Sequence, residues 1–198
     1  MRCYSHLPRS RFSDDKENPA ARVFWGRVPL SFVFTGFLYN KGNALQQLIH
    51  AFKYRGLKNI GSFLGGELGN EINSIPQLSD LEFILPVPLH PKKQKKRGFN
   101  QSEIIARGIA EKIPADVNIS ILKRQSFSST QTRKSKYERW QNVENIFSVE
   151  NGSGIEGKHI LLVDDVITTG ATIEACAQAL FGLEGIKISV AAVGYTRG

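Results

Sequence analysis

Apolar residues are distributed along the chain in two patterns, short continuous runs and longer stretches with helical spacing. Continuous apolar runs are typical of strands that are covered on both faces of a parallel sheet. The first run, at 31–39, fits a strand or a hairpin arm. The strands predicted in this way cover residues 31–39, 83–88, 119–122, 146–149, 160–163 and 189–193.

Helices are predicted where apolar residues recur every three or four positions. Four such faces are present, and the third, over residues 101–112, follows a plausible cap at Asn100. In chain order, their apolar positions are Leu45, Leu48, Ile49 and Phe52; Ile60, Phe63, Leu64, Leu68 and Ile72; Ile104, Ile105, Ile109 and Ile113; and Ile173, Ala177 and Leu180. Alternating strands and helices predict an α/β fold with a doubly wound, mainly parallel sheet that binds its ligand at the carboxyl ends of the strands.

The segment 160–172 carries the clearest chemistry, because an apolar strand leads into two acids and then into a small, hydroxyl-rich turn before a helix. Gly170 lets the backbone approach a ligand closely, and the free amides at the start of the helix form an anion site. The hydroxyls of Thr168, Thr169 and Thr172 add further donors. A phosphate monoester fits such a site.

Asp164 and Asp165 would repel that phosphate unless their carboxylates accept hydrogen bonds from sugar hydroxyls or contact a divalent cation. A phosphorylated ribose with Mg²⁺ satisfies all three requirements. The alternative is that the acids merely cap a helix and that the turn is an ordinary strand-to-helix connection.

The formal charge of +8 is concentrated in two segments. One contains Lys92, Lys93, Lys95, Lys96 and Arg97, and the other contains Arg133, Lys134, Lys136 and Arg139. Either segment could be a solvated loop, a nucleic-acid patch or a site for pyrophosphate. The polar stretch 123–145, which includes the second segment, is long for a compact domain and suggests a lid or a disordered segment.

Other features limit the class of protein. The sequence has neither a continuous apolar stretch long enough to span a membrane nor a secretory signal pattern, so we expect a cytoplasmic protein. The two cysteines, Cys3 and Cys176, do not form a disulfide framework, and Cys176 is expected in the core.

The segment 160–172 resembles, at every position, the 5-phosphoribosyl-1-pyrophosphate (PRPP) motif of type I phosphoribosyltransferases. This resemblance implies that PRPP and Mg²⁺ are ligands. It also implies that Asp164 and Asp165 hold the ribose hydroxyls and contact the metal through those hydroxyls or through water. The positions that would hold the 5-phosphate are Thr168, Thr169, Gly170, Ala171 and Thr172.

Three other segments, 52–56, 95–101 and 131–142, resemble one branch of that family, the competence-protein F (ComF, or GntX-like) proteins. The resemblance implies that the loop after the strand at 83–88 binds pyrophosphate and that the segment with Arg133, Lys134 and Arg139 closes over PRPP and supplies catalytic cations. The pyrophosphate loop would comprise Val87, Pro88, Leu89, His90 and Lys92, with Lys92 nearest the pyrophosphate. A lone histidine such as His90 is more often a structural group than a base.

The same resemblance suggests two regions, an N-terminal hood or appendage over residues 1–40 and a phosphoribosyltransferase domain over residues 41–198. Members of this branch normally begin with a four-cysteine zinc ribbon, of which Cys3 looks like the last ligand. Cys3 and His6 alone cannot build a closed zinc site, so we expect either a truncated ribbon or a protein without zinc.

Two functions follow from the resemblance. The first is an enzyme that transfers a phosphoribosyl group from PRPP to an unidentified nitrogen acceptor and releases pyrophosphate. The second is a competence or DNA-processing factor that uses the PRPP site as a sensor and binds single-stranded DNA or a helicase partner. The sequence does not specify the oligomeric state, and a homodimer is one candidate.

Overall fold

The central element of the fold is a parallel sheet of five strands. The computed structural model describes residues 7–12, 15–125 and 146–196. Across the sheet the strands follow the order β1-β7-β6-β2-β3, and every neighbouring pair is parallel. These strands are β1 (Phe32–Leu38), β2 (Phe83–Pro86), β3 (Asp116–Val117), β6 (His159–Ile167) and β7 (Lys187–Tyr195). A separate antiparallel pair is formed by β4 (Leu122–Arg124) and β5 (Phe147–Val149).

Helices cover both faces of the sheet, as predicted. They are α1 (Pro19–Arg22), α2 (Ala44–Arg55), α3 (Lys58–Ile72), α4 (Pro91–Arg97), α5 (Gln101–Ala110) and α6 (Ala171–Leu180). Because side chains alternate along a strand, Leu161 and Val163 of β6 pack with α2, α3 and α5, whereas Ile160 and Leu162 pack with α1 and α6. The doubly wound α/β class is therefore confirmed.

Two strand predictions differ from the structure. β6 does not end at residue 163 but continues through both acids to Ile167, because β7 pairs with it as far as the contact between Ile167 and Tyr195. The predicted strand at 119–122 is wrong as a single element: β3 lies before it at the edge of the sheet, and β4 begins at its last residue in the antiparallel pair. Residues 119–121 form the turn between them.

The first basic segment forms a helix, α4, and not the solvated loop that was one of its predicted forms. Pro91 occupies the first turn of α4, the His90 side chain accepts a hydrogen bond from the Lys92 amide, and Gly98 ends the helix in the left-handed conformation with a φ of 81°. These are ordinary start and stop signals of a helix. Residues 87–90, between the end of β2 and the start of α4, form no regular secondary structure.

The N-terminal part of the chain contributes directly to the sheet. β1 lies within the predicted appendage of residues 1–40 but pairs along its length with β7. The predicted boundary at residue 40 therefore falls between β1 and the other strands of the sheet to which β1 belongs. Cys176 is fully buried in α6, as expected. In the described ranges, every helix is too short or too polar to cross a membrane.

Candidate functional site

A polar cleft of about 450 Å³ lies at the carboxyl end of the sheet. Its floor is the end of β6, and its walls come from the segment after β2, from α2, from the start of α5 and from β4. The residues that line it include Lys53, Tyr54, Val87, Pro88, Leu89, Lys93, Arg97, Ser102, Arg124, Asp164, Asp165, Thr168 and Thr172.

The turn between β6 and α6 forms a small concavity next to this cleft, lined by residues from Asp164 to Ile173. Gly170 is the cap residue of α6 and has a φ of 74°, a left-handed conformation that glycine adopts without strain. Thr168, Thr169, Ala171 and Thr172 are exposed. The first amides of a helix lack intrahelical acceptors, so this turn presents N–H and hydroxyl donors together, as an anion site requires.

Asp164 is held by two donors. Its Oδ1 accepts a hydrogen bond from the Ser102 hydroxyl at 3.0 Å and another from the Asp165 amide at 2.8 Å. The pKa of Asp164 is raised to about 7, first by burial and then by the charge of Asp165. The two hydrogen bonds and the nearby Lys53 oppose this shift without cancelling it. Asp164 is therefore a carboxyl group that exchanges its proton near neutral pH in the ligand-free protein.

Asp165 forms an ion pair with Lys53 of α2, whose Nζ lies 2.6 Å from Oδ2. Both side chains are largely shielded from solvent, at 14% and 22% exposure. The helix that carries Lys53 is fixed by an Asn43 cap at its start and by buried Leu45, Ile49 and Phe52. The lysine thus compensates one of the two adjacent negative charges before any ligand is bound.

Three further cations form another wall of the cleft. Lys93 and Arg97 project from the same face of α4, since they are four residues apart, and Arg124 comes from β4. The Arg97 guanidinium lies 5.4 Å from the centroid of the Tyr54 ring, and that of Arg124 lies 5.2 Å from the centroid of Phe147. The buried Nε of Arg124 has no hydrogen-bond partner among the described residues. This wall suits a polyanion.

Comparison with known families shows which family the chain belongs to. Residues 95–196 match the family described as "Phosphoribosyl transferase domain". The chain belongs to the phosphoribosyl transferase family. The matched region runs from α4 to the end of β7 and thus contains the acid pair and the anion-binding turn.

Curated relatives place this phosphoribosyltransferase domain in the predicted competence-protein F branch. The chain is similar to DNA utilization protein YhgH of Shigella flexneri, at 31% identity over 69% of this chain and 60% of the relative. It is also similar to competence protein F of Haemophilus influenzae, at 34% identity over 57% of this chain and 50% of the relative. The chain therefore spans about 60% or less of the length of these two relatives.

A solved structure is also similar, a glutamine PRPP amidotransferase from B. subtilis complexed with ADP and GMP. The similarity covers 66% of this chain and 26% of that protein, with 20% sequence identity and a TM-score of 0.45.

The structure brings together most of the residues that the sequence assigned to the phosphoribosyltransferase site. Asp164, Asp165, Thr168 and Thr172 line the main cleft, and the rest of the turn lines the adjoining concavity. Of the predicted pyrophosphate loop, Val87, Pro88 and Leu89 line the cleft. His90 and Lys92 do not line it: His90 caps α4, and the cleft-facing cations are Lys93 and Arg97.

Other predicted residues cannot be placed. Arg133, Lys134 and Arg139 lie outside the described residues, as do most of the predicted lid at 123–145 and the possible zinc ligands Cys3 and His6.

Sequence reasoning missed the roles of Lys53, Ser102 and Arg124. Ser102 lies two residues after the predicted helix cap Asn100, which donates a hydrogen bond to the Val87 carbonyl at 3.0 Å, but nothing in the sequence places Ser102 beside Asp164. Lys53 lies in one of the family-like segments, but no local pattern links it to an aspartate more than a hundred residues away.

The acid pair fits a Mg²⁺ ion that takes most of its ligands from a substrate. In the described ranges, no group of three or more histidine, cysteine or acidic side chains could hold a metal. One oxygen of Asp164 and one of Asp165 are already engaged by protein donors, which leaves one oxygen of each for a further contact. Mg²⁺ commonly binds through one or two carboxylates together with substrate phosphates and water.

Proposed function

We propose that this protein binds PRPP with Mg²⁺ and transfers its phosphoribosyl group to a nitrogen nucleophile with release of pyrophosphate. The observation that supports this proposal is the arrangement at one end of the sheet, where an anion-binding turn, an acid pair and a wall of cations surround a single cleft. The chemistry of these three features corresponds to the three parts of PRPP: a phosphate monoester, a diol and a pyrophosphate.

In this proposal, each part of the site has a separate task. The turn from Thr168 to Thr172 anchors the 5-phosphate, and Asp164 and Asp165 accept hydrogen bonds from the ribose hydroxyls. Lys53 and Ser102 hold the two carboxylates in place. Lys93, Arg97 and Arg124 face the pyrophosphate across the cleft. On the sequence resemblance alone, Arg133, Lys134 and Arg139 would add cations to the leaving group.

The reaction breaks the bond between ribose C1 and pyrophosphate oxygen, and the bonding electrons leave with pyrophosphate. Positive charge grows on the sugar ring, the lone pair of the acceptor nitrogen forms the new bond to C1, and the nitrogen then loses its proton to solvent. Catalysis therefore depends on positioning and on cations that stabilise the leaving group. When bound, Mg²⁺ supplies Lewis-acid stabilisation of the charge on pyrophosphate.

Calorimetric titration with PRPP and Mg²⁺ tests the binding step. The double variant D164N/D165N loses two hydrogen bonds to charged acceptors, each contributing about 1.5–3 kcal/mol, so we expect binding to weaken at least tenfold. A matched control is Asp116→Asn, because Asp116 is an exposed aspartate of β3 outside the cleft lining. Equal affinity in the wild type and the double variant would refute the assignment.

Turnover needs its own assay, because binding alone does not distinguish an enzyme from a sensor. Pyrophosphate release is measured across a panel of nitrogenous bases and amines, with a reaction lacking acceptor as the reference. We expect one class of acceptor to raise the rate above that reference. A rate that no acceptor raises would leave PRPP binding in place but remove the transferase activity.

A second candidate function, in DNA processing, is favoured by helix α4. Lys92, Lys93, Lys95 and Lys96 are all exposed on this short helix, and none forms an ion pair with a described acid. Beside them, Tyr54 exposes 67% of its surface and stacks on Arg97. An aromatic ring amid basic side chains is a recurring platform for single-stranded nucleic acid. The names of the two relatives refer to DNA use and competence.

Variants on the two faces of α4 distinguish the two candidate functions. K93A/R97A removes two cations that line the cleft, whereas K95A/K96A removes two that do not. If α4 binds DNA, the wild type binds single strands in an anisotropy assay, with affinity that falls by about 0.7 log units per log unit of salt for each phosphate contacted. K95A/K96A should then flatten this salt dependence and leave the affinity for PRPP unchanged, while K93A/R97A should weaken PRPP binding. No binding of single strands at low salt would remove this candidate.

A further inference from the structure

One side chain of the N-terminal segment, residues 18–28, contacts the anion-binding turn from Thr168 to Thr172. Arg27 donates a hydrogen bond from Nη1 to the Thr169 carbonyl at 2.9 Å and another to the Val23 carbonyl at 3.0 Å. Its Nη2 forms an ion pair with Glu174, in the first turn of α6. A residue of the N-terminal segment thus contacts both the turn and the helix that follows it.

The same segment packs directly against the cap residue of α6. A Cβ atom on Gly170 would lie 2.7 Å from the Phe24 ring and 2.8 Å from a methyl group of Val23. Phe24 is 1% exposed, so this contact is part of the core. The absence of a side chain at Gly170 therefore serves two purposes, a left-handed φ and a close fit to the N-terminal segment.

The N-terminal segment is itself fixed to the sheet. Asn18 is fully buried, and its side-chain amide donates a hydrogen bond to the Val33 carbonyl of β1 at 2.8 Å. Its Oδ1 caps α1 by accepting hydrogen bonds from the amides of Ala20 and Ala21, both at 3.0 Å. Arg27 therefore belongs to a segment that is fixed to β1, and from there it contacts the anion-binding turn.

The hydrogen bond to Thr169 determines which way the next amide points. In a trans peptide the C=O and the following N–H project in opposite directions, and the described residues contain no cis peptide. With the Thr169 carbonyl turned toward Arg27, the Gly170 N–H projects to the side opposite Arg27. A rotation of this peptide would replace a donor on that side by a carbonyl oxygen, which repels a phosphate.

The ion pair has an electrostatic consequence as well. Glu174 is an acid in the first turn of α6, close to the place where a dianionic phosphate would bind. Unpaired, its charge would compete with the phosphate for the positive end of the helix. Arg27 compensates that charge.

We infer that Arg27 is a positioning residue, which orients the Thr169–Gly170 peptide and neutralises Glu174 so that the turn accepts a phosphate monoester. This inference rests on the proposed function, because it concerns the 5-phosphate half of the same site. It adds a residue from outside the cleft, and it makes the N-terminal segment part of the binding machinery.

Calorimetric titration with ribose 5-phosphate, and separately with pyrophosphate and Mg²⁺, tests the inference on the full chain. Arg27→Gln should weaken binding of ribose 5-phosphate about tenfold, the loss expected for charge-assisted contacts, and leave pyrophosphate binding unchanged. Arg27→Lys should bind with intermediate affinity. The control is Arg22→Gln, because the side chain of Arg22 contacts the Trp25 ring and the Glu17 carbonyl of its own segment.

Glu174→Gln separates the two contributions of Arg27. The variant R27Q/E174Q should recover part of the lost affinity, because the unpaired acid is gone. It should not recover all of it, because the Thr169 carbonyl still lacks its hydrogen bond from Arg27. Unchanged affinity for ribose 5-phosphate in Arg27→Gln, or an equal loss for both ligands, would overturn the inference alone. A wild type that binds neither ligand would overturn the proposed function and this inference with it.

Discussion

Asp164 illustrates how a buried acid reduces the stability of the unliganded fold. Its carboxyl group has a pKa of about 7 in the folded protein because it is desolvated and lies next to Asp165. In an unfolded chain the same group has a pKa near 4. Above neutral pH the folded protein must therefore keep a charge that the unfolded chain hydrates freely. A sugar hydroxyl or a cation at the cleft would relieve this cost.

Asp164→Asn should consequently raise stability and reduce binding. The amide removes the buried charge while keeping an oxygen that can accept from the Ser102 hydroxyl. We expect the free energy of unfolding at pH 8, measured by chemical denaturation, to rise by about 1–3 kcal/mol. PRPP affinity should fall in the same variant. A variant less stable than the wild type at pH 8 would show that the charge is not a cost.

Residue identities in the site were predictable where the ligand contacts follow one another along the chain. The acid pair and the turn to Thr172 form one segment, whose order reveals its chemistry. Lys53 and Ser102 act through contacts between distant elements, so no spacing in the sequence indicates them. The sequence favoured Lys92 as the cation nearest the pyrophosphate, because no apolar spacing indicates that the segment is a helix. A helix instead pairs Lys93 with Arg97.

Helices α3 and α5 approach each other closely through their glycines. A Cβ on Gly65 would lie 2.3 Å from the Ile105 carbonyl oxygen, and one on Gly108 would lie 2.6 Å from the Ser62 carbonyl oxygen. Only hydrogen atoms fit at these points, so the two backbones come into direct contact. This contact fixes the position of α5, which carries Ser102 at its first turn and so helps to hold Asp164.

Gly65→Ala should separate α3 from α5. The methyl group meets backbone rather than a flexible side chain, so the helices must shift, at a cost of about 1–3 kcal/mol. Gly66→Ala is the matched control, because a Cβ there meets only the end of Lys112 at 3.8 Å and alanine favours a helix. Thermal unfolding should show a lower midpoint for Gly65→Ala and an equal or higher one for Gly66→Ala. Equal effects of the two substitutions would contradict the close contact.

Element types were predictable where periodicity is strong and boundaries where capping signals are local. The helices over α2, α3, α5 and α6 were identified from their apolar faces, and the cap at Asn100 was found from its residue type. The extension of β6 past two acids was not, because it depends on pairing with β7. α4 has no apolar face to detect, since all of its residues except Arg97 are exposed.

The whole molecule carries titratable clusters at both ends of its sheet. Opposite the cleft, the buried His159 lies between Asp80 and Ser189, with Nδ1 2.5 Å from Asp80 Oδ1 and Nε2 2.8 Å from Ser189 Oγ. This resembles a nucleophilic relay, but Ser189 is fully buried and therefore out of reach of a substrate. Burial lowers the pKa of His159, and the contact with Asp80 opposes this only in part.

The two ends of the sheet respond to acid with opposite signs. The unfolded chain protonates His159 first as the pH falls below 6.5, because the folded pKa is lower, so stability is lost on acidification. Asp164 behaves in the reverse way: its folded pKa of about 7 lies above the unfolded value of 3.8, so stability is gained as the pH falls from 7 toward 4. In the wild type these two effects therefore act in opposite directions below pH 6.5.

Replacing Asp164 should therefore make the effect of His159 on the pH dependence of stability measurable. We expect the free energy of unfolding of Asp164→Asn to fall more steeply than that of the wild type between pH 7 and pH 5, measured by urea denaturation without ligand. Adding His159→Gln should flatten this dependence, because the group that the unfolded chain protonates is gone. Parallel pH profiles for the wild type and Asp164→Asn would show that Asp164 does not titrate in this range, and the high pKa assigned to its buried carboxyl would then be wrong.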